Sequence, residues 1–140
     1  MTPAAAALGL QLQVDRVAGP GDYAAVFEHW RRQHVEAVFV QPSLPGAPAA
    51  ALALQQRWPS CSFVPGFVEQ GGLLAYANDL AEIARLVVDA VDRILRGASP
   101  AQLPVQQNTR FALLINLRTA RALGVTVPPA LLARATEVLE

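Results

Sequence analysis

The sequence predicts an α/β fold: a three-layer, Rossmann-like or flavodoxin-like lobe with helices on both sides of a parallel sheet. Short apolar segments alternate with amphipathic ones, and residues that favour turns separate them. One of the segments is apolar at every position, which is typical of a parallel strand buried on both faces. The 140 residues suffice for one compact core but not for two full domains.

The first half of the chain alternates strands with helices. Leu10, Leu12 and Val14 occupy every second position, which predicts a strand with one polar face. Asp22 is a suitable N-cap for the helix that follows. The apolar side chains of this helix recur at helical spacing: Tyr23, Val26, Phe27 and Trp30. The remaining segments are predicted as a strand at 37–40, a helix at 48–58 and a strand at 61–64.

The second half opens with an extended segment, predicted as a strand at 73–77, and continues into a long amphipathic helix. Asp79 is predicted to cap this helix and Gly97 to end it. Full burial of a large apolar side chain stabilises a protein by about 1.5–3 kcal/mol, so this helix needs a partner surface. Its apolar stripe consists of Leu80, Ile83, Ala84, Val87, Val88, Val91, Ile94 and Leu95.

Three elements are predicted in the last third of the chain. The apolar run Phe111–Ile115 predicts a strand. Asn116 is expected to cap the helix that follows it, and Gly124 is expected to end that helix. The pair Pro128-Pro129 is predicted to begin a last helix, because proline is favoured in a first helical turn.

The composition argues against a nucleic-acid partner and against membrane insertion. All 11 basic residues are arginine and balance 11 acidic ones at a pI near 6.7, whereas nucleic-acid binding requires a basic surface. No apolar run approaches the roughly 20 residues of a transmembrane helix, and the residues after Met1 do not resemble a signal peptide. With one cysteine and two histidines, neither a disulfide nor a metal site nor a cofactor is predicted.

No catalytic residue is predicted. The sequence lacks the G-x-S-x-G elbow, the phosphate-binding G-x-x-x-x-G-K-[ST] loop and the H-E-x-x-H zinc motif. His29 and His34 occur on or just after the first predicted amphipathic helix among charged residues, and we expect them to be solvated. Cys61 occurs among strand residues, where we expect a buried and unreactive thiol.

A binding role is better supported, because ligands of open α/β sheets bind at the loops that follow the strands. Gln41 and Ser43 follow the buried strand and offer neutral hydrogen-bonding groups. Phe67 and Tyr76 offer flat apolar faces in the glycine-marked segment after the next strand. Ordinary turn chemistry is the alternative explanation for each of these residues. The predicted ligand-binding residues are Gln41, Ser43, Phe67, Gly71, Gly72 and Tyr76.

Four motifs, in order and at matching spacing, resemble one known family. They are Gly71–Tyr76, Val91–Pro100, Leu103–Gln107 and the segment from Ile115 to Gly124, which is followed by Pro128-Pro129. Together they closely resemble the C-terminal region of the ABC transporter substrate-binding proteins related to tryptophan and tyrosine binding. The resemblance is strong over 67–140 and looser, although consistent in element order, over 8–64.

This resemblance implies a type I periplasmic binding protein. Such proteins have two α/β lobes that are joined by crossing segments, close on a small ligand outside the cytoplasm and deliver it to a membrane permease. They are about twice as long as this chain. Residues 1–66 are therefore interpreted as part of the second lobe, and 67–140 as a crossover segment, the long helix and the C-terminal strand and helices. The long helix would then pack mainly on the first lobe.

The sequence leaves two other functions open. The same two-lobed fold serves as the effector-sensing domain of cytoplasmic regulators, and an upstream helix-turn-helix would favour this alternative. The third possibility is a small flavodoxin-like enzyme or signalling domain. The absence of a phosphate loop, of an acidic cluster at the strand ends and of a nucleophile argues against it. The expected function is capture of an amino-acid-like solute for an ABC importer, without catalysis.

Overall fold

The computed structural model describes residues 2–140 and contains one five-stranded sheet whose strands are neighbours in chain order. β1, β2 and β3 run parallel, β4 is antiparallel to β3, and β5 is parallel to β4. The predicted α/β fold is confirmed, with a sheet that is mostly parallel. The strands are β1 (Val38–Val40), β2 (Ser60–Ser62), β3 (Leu74–Asn78), β4 (Phe111–Asn116) and β5 (Glu137–Leu139).

Six α-helices accompany the sheet in the part of the chain that the structure describes. Five of them match predicted helices, whereas the helix at 2–7 and the last strand were not predicted. None of the helices within residues 2–140 has the length and apolar character that a membrane span requires. The helices are α1 (Thr2–Ala7), α2 (Tyr23–Arg32), α3 (Gly46–Gln55), α4 (Leu80–Leu95), α5 (Leu117–Leu123) and α6 (Pro129–Leu132).

The main core lies between α2, α3 and one face of the sheet. Val38 and Val40 face these helices because alternate residues of a strand point to opposite faces. The ring of Phe27 stacks on that of Trp58, with 5.8 Å between the ring centroids. Phe67, from a short 3-10 turn after β2, completes the cluster and is 1% exposed. The three small residues by which α3 approaches the core closely are Ala49, Ala50 and Ala53.

Buried polar groups in this core all have partners. The Ser62 hydroxyl donates to the carbonyl oxygen of Val40 at 2.9 Å, and the Ser60 hydroxyl oxygen accepts from the N–H of Leu73 at 3.4 Å. Within residues 2–140 no buried side-chain nitrogen or oxygen lacks a hydrogen-bond partner. Polar strand residues are therefore compatible with complete burial here.

The predicted strand at Leu10–Val14 is wrong. These residues form no sheet pairing, and Leu10 is 61% and Val14 72% exposed. An extended segment becomes a strand only if a neighbour pairs with its backbone, and alternation alone does not supply one. The chain is instead attached to α2, because the indole N–H of Trp30 donates to the Asp15 carboxylate at 2.6 Å.

The predicted caps and stop residues are correct with one exception, although α3 spans Gly46–Gln55 and not the predicted 48–58. Asp79 caps α4 by accepting from the N–H groups of Ala81 and Glu82, and Gly97 follows the helix with φ +98°. Asn116 caps α5, which ends at Gly124 in the left-handed conformation. The exception is Asp22, whose carboxylate accepts from the N–H of Ala18 at 2.8 Å and makes no bond to α2.

α4 is exposed along its whole length. None of its 16 residues is buried, and Val88 and Leu95 are 67% and 82% exposed. One flank faces Leu103 and Pro104 across a shallow groove of about 220 Å³. The predicted apolar stripe therefore exists, but residues 2–140 do not cover it.

Candidate functional site

A cleft of about 610 Å³ lies at the edge of the sheet where β3 ends and β4 and β5 begin. We call this side of the sheet the carboxyl edge, because the carboxyl ends of β1, β2 and β3 meet there. The residues that line the cleft come from four segments: Pro65, 78–81, 109–112 with Leu114, and 136–137. Ligands of open α/β sheets bind at such an edge, so this cleft is the candidate functional site.

Two chain segments that lead from the sheet to α4 and back are fixed to one another beside the cleft. The N–H of Asp79 donates to the carbonyl oxygen of Arg110 at 3.1 Å, which extends the β3–β4 pairing by one residue. The Asn108 amide donates to the Asn78 side-chain oxygen at 3.0 Å and to the Arg110 carbonyl oxygen at 2.9 Å. The backbone around Arg110 is therefore held by several hydrogen bonds.

The cleft contains charges of both signs. Arg110 and Glu137 line it, and neither belongs to the three ion pairs found within residues 2–140. The pKa of Glu82, one turn into α4, is lowered mainly by its hydrogen bond from Arg85 and further by the positive charge of Arg110. The charge of Arg110 therefore acts on the beginning of α4 as well as on the cleft.

The six predicted site residues do not come together in one pocket. Gln41 and Ser43 are exposed after β1, at the carboxyl edge. Gly71 precedes β3 at the opposite edge, where its carbonyl oxygen accepts from the Thr119 hydroxyl at 3.0 Å. Gly72 is buried against the Phe67 ring, which occupies the space that a Cβ atom would need. In this arrangement Phe67 presents no ring face to solvent.

Tyr76 lies on the face of the sheet that α2 and α3 do not cover. Tyr76 pairs with Leu113, and because side chains alternate along β3, Tyr76 points to the opposite face of the sheet from Ala75 and Ala77, which are buried. The ring of Tyr76 stacks on that of Phe111, with 5.3 Å between centroids and 16° between planes. Both rings remain about half exposed, at 45% and 50%.

Sequence reasoning missed the residues of the crossing segments. Asn78, Arg110 and Glu137 meet because β4 returns antiparallel to β3 and β5 begins beside it. The polar residues at 106–110, immediately before the apolar run of β4, were the available signal. Had the antiparallel pairing of β3 with β4 been predicted, it would have placed the residues at 106–110 at the carboxyl edge.

Comparison with known families decides the relationship of this chain. A family model described as ABC transporter substrate binding protein matches residues 49–139. The chain belongs to this family. The predicted resemblance is thus confirmed, and the matched range contains the cleft residues as well as α4. A sequence comparison with curated proteins found no match.

Solved structures support the fold of this substrate-binding protein family. A conserved domain protein from Vibrio cholerae superposes with a TM-score of 0.84 at 26% identity, over 98% of this chain and 47% of its own. The ABC domain in complex with L-Trp from Streptococcus pneumoniae superposes with a TM-score of 0.79 at 22% identity, over 98% of this chain and 49% of its own. The third structure is the ligand-free, open form of CD0873 from Clostridium difficile, a substrate binding protein with adhesive properties. It superposes with a TM-score of 0.74 at 16% identity, over 99% of this chain and 47% of its own. The chain spans about half the length of these structures.

Proteins of this family bind solutes and are generally not enzymes. The side chain with the strongest nucleophilic potential here is Cys61, and burial raises the pKa of its thiol. A raised pKa keeps the thiol protonated near neutral pH, which makes it a poor nucleophile. Among residues 2–140, no group of three His, Cys, Asp or Glu side chains is placed to hold a metal ion.

Proposed function

We propose that this chain forms one lobe of a solute-binding protein that serves an ABC-type importer. The lobe would hold a small, amino-acid-like ligand at its carboxyl edge, and a permease in the membrane would receive the ligand. The observation that carries the proposal is the family match over 49–139, because that range contains the cleft between the crossing segments. Capture of a solute requires shape and hydrogen bonds but no covalent step.

The ligand class is proposed from the chemistry of the cleft and from one relative. The cleft is lined by Arg110, by the acidic residues Asp79 and Glu137 and by the apolar residues Pro65, Ala112 and Leu114, which suits a small zwitterion with an apolar side chain. The Streptococcus pneumoniae structure was solved in complex with L-Trp. An amino-acid-like ligand for this chain is consistent with both.

The exposed face of α4 supports a two-lobed arrangement. We assign 1–66 to part of the second lobe and 67–140 to the crossing segments, α4 and the C-terminal elements, with a first lobe outside this sequence. That lobe would cover Val87, Val88, Val91 and the rest of the stripe, and it would close over the cleft by a hinge motion. The location that this function requires is extracytoplasmic, for example the periplasm.

The coding sequence upstream of Met1 tests the arrangement. We expect an in-frame first lobe, preceded by a signal peptide or a lipoprotein cysteine. An upstream helix-turn-helix would instead indicate an effector-sensing regulator and would contradict the transport proposal. A two-lobed product made from that region should bind aromatic or branched amino acids saturably in calorimetric titration, and failure of all of them would contradict the ligand class.

The isolated chain provides the matched comparison. Without the first lobe, the ligand contacts are incomplete and binding is weak. We expect no thermal shift above noise with about 1 mM aromatic or branched amino acid, because a ligand far below its Kd stabilises a protein little. A robust, saturable shift would show that one lobe suffices and would contradict the need for a second.

A further inference from the structure

Arg110 lines the cleft and belongs to none of the three ion pairs found within residues 2–140. It continues the alternation of β4, so that it shares a face of the sheet with Ala112 and Leu114, and all three line the cleft. Asp79 is the other charged residue of the crossing segments that lines the cleft, and its Oδ1 atom accepts from the N–H groups of Ala81 and Glu82. The remaining charged group of the cleft is Glu137, at the beginning of β5.

Three backbone N–H groups near the cleft, those of Ala81, Glu82 and Arg110, already donate to side chains. The carboxylate of Asp79 occupies the first N–H groups of α4, and the N–H of Arg110 donates to the Asn108 side-chain oxygen at 3.1 Å. Two of the first N–H groups of α4, those of Ala81 and Glu82, are therefore bonded to the Asp79 cap and do not serve a negatively charged ligand group. A guanidinium group, in contrast, offers two parallel N–H donors that match a carboxylate.

We propose that Arg110 binds the carboxylate and Glu137 the ammonium group of a zwitterionic amino acid, whose side chain lies on Pro65, Ala112 and Leu114. This inference rests on the proposed function in placing the ligand at the carboxyl edge, and it assigns the two charged contacts to residues of this lobe. The hydrogen bonds of Asn108 and Asp79 fix the backbone of Arg110 beside the cleft, and its exposed side chain lines the cleft.

The isolated 140-residue chain can test this proposal, because a weak half-site is still visible by NMR. Three probes differ in one group each: L-phenylalanine has both charges, L-phenylalaninamide lacks the carboxylate, and 3-phenylpropionate lacks the ammonium group. We expect saturable ¹H–¹⁵N shift changes at 78–81, 109–112 and 136–137. L-phenylalanine should bind more tightly than either analogue.

Variants assign each charge to its residue. Arg110→Gln should reduce the affinity for L-phenylalanine by about tenfold or more, to that of L-phenylalaninamide. Glu137→Gln should reduce it to that of 3-phenylpropionate. Arg110→Lys keeps the charge but loses the two parallel donors, and it should retain part of the affinity. Arg93→Gln is the control, because Arg93 lines the separate groove beside α4.

Two results would overturn the proposal. One is the absence of saturable shifts at the cleft residues up to about 20 mM L-phenylalanine, a concentration that detects even very weak binding. The other is an unchanged preference for L-phenylalanine over L-phenylalaninamide in Arg110→Gln. Either result concerns these contacts alone, whereas the proposed function is tested separately by the upstream coding sequence and by amino acid binding to the two-lobed protein.

Discussion

The core under α2 and α3 and the stripe of α4 are two apolar regions of the same chain with opposite exposure. Phe67 and Ala53 are 1% and 0% exposed in the first region, whereas no residue of α4 is buried. Yet α4 has the most regular amphipathic pattern, and the alanine-rich α3 has a much weaker one. An amphipathic pattern therefore shows that a helix needs a partner surface, but not that the partner lies in the same polypeptide.

The largest expected effect is at Phe67. Phe67→Ala should lower the free energy of unfolding by about 3–5 kcal/mol, because the Phe67 ring is fully buried and its removal leaves a cavity in the core. Urea unfolding followed by tryptophan fluorescence measures this directly, since Trp30 and Trp58 both belong to this core.

Phe63→Ala is the matched control for this loss. Phe63 is 52% exposed and contacts Phe39 edge to face, with 4.6 Å between centroids, so its removal should cost about 1 kcal/mol or less. Equal losses at Phe63 and Phe67 would contradict the position of the core.

The two helix caps, Asn116 and Asp79, are expected to contribute differently to the free energy of unfolding, by less than the two phenylalanines differ. Asn116 is buried, and its side chain accepts from the N–H of Thr119 while its amide donates to the carbonyl oxygen of Val68 at 2.7 Å. Asn116→Ala should cost about 2–3 kcal/mol, because it also leaves that carbonyl group without a partner. Asp79→Ala, at the exposed start of α4, should cost about 1 kcal/mol.

Asn116→Asp separates the two contributions in the buried cap. It keeps the acceptor for Thr119 but replaces the donor to Val68 with a buried carboxylate oxygen that faces the Val68 carbonyl oxygen, so it should be less stable than the wild type although the capping bond is retained. Urea midpoints of the three variants measure the order. A larger loss at Asp79 than at Asn116 would show that α4 is the more strongly packed region.

Sequence patterns predicted most of the fold because caps and stop signals act locally. Asp79, Asn116 and Gly124 act within one helical turn, and their roles follow from residue type and spacing. Long-range pairing does not follow from such patterns. The segment Leu10–Val14 has the alternation of a strand without a neighbour, and the cleft depends on an antiparallel return of β4 that period-2 alternation cannot indicate.

The same reasoning explains the incomplete site prediction. Gln41 and Ser43 were predicted because loops after parallel strands face the ligand edge; both lie at that edge but do not line the cleft, and their role in binding stays a prediction. Phe67 was chosen for its flat apolar face, but an aromatic side chain that lies over a glycine is equally suited to a core, and here it packs on Gly72. Arg110 precedes a predicted strand, but it could not be chosen without knowing that this strand pairs antiparallel with β3.

The thiol of Cys61 tests burial on the far face of the sheet. Burial raises its pKa above the usual value, so the folded state favours the protonated thiol. Because the folded pKa is raised, its contribution to stability is fully present below the unfolded pKa of about 8.5 and is lost as the pH rises through the folded pKa. Labelling with iodoacetamide at about pH 8 should therefore be much slower in the native chain than in urea. Equal rates would show that Cys61 is accessible and unperturbed.

The smallest expected change in stability is on α4, where the two regions differ most. Val87→Asp and Val91→Asp should each change the free energy of unfolding by about 0.5 kcal/mol or less, because both side chains are already solvated, at 56% and 49% exposure. Both should raise the solubility of the isolated chain by interrupting an uncovered apolar stripe.

Val40→Asp, in the core, is the matched control and should unfold the chain. Val87→Lys distinguishes loss of the stripe from the sign of the new charge, since it should raise solubility as well. Sharp unfolding by Val87→Asp or Val91→Asp would mean that α4 is buried within this chain, and the contrast between the two regions would then be wrong.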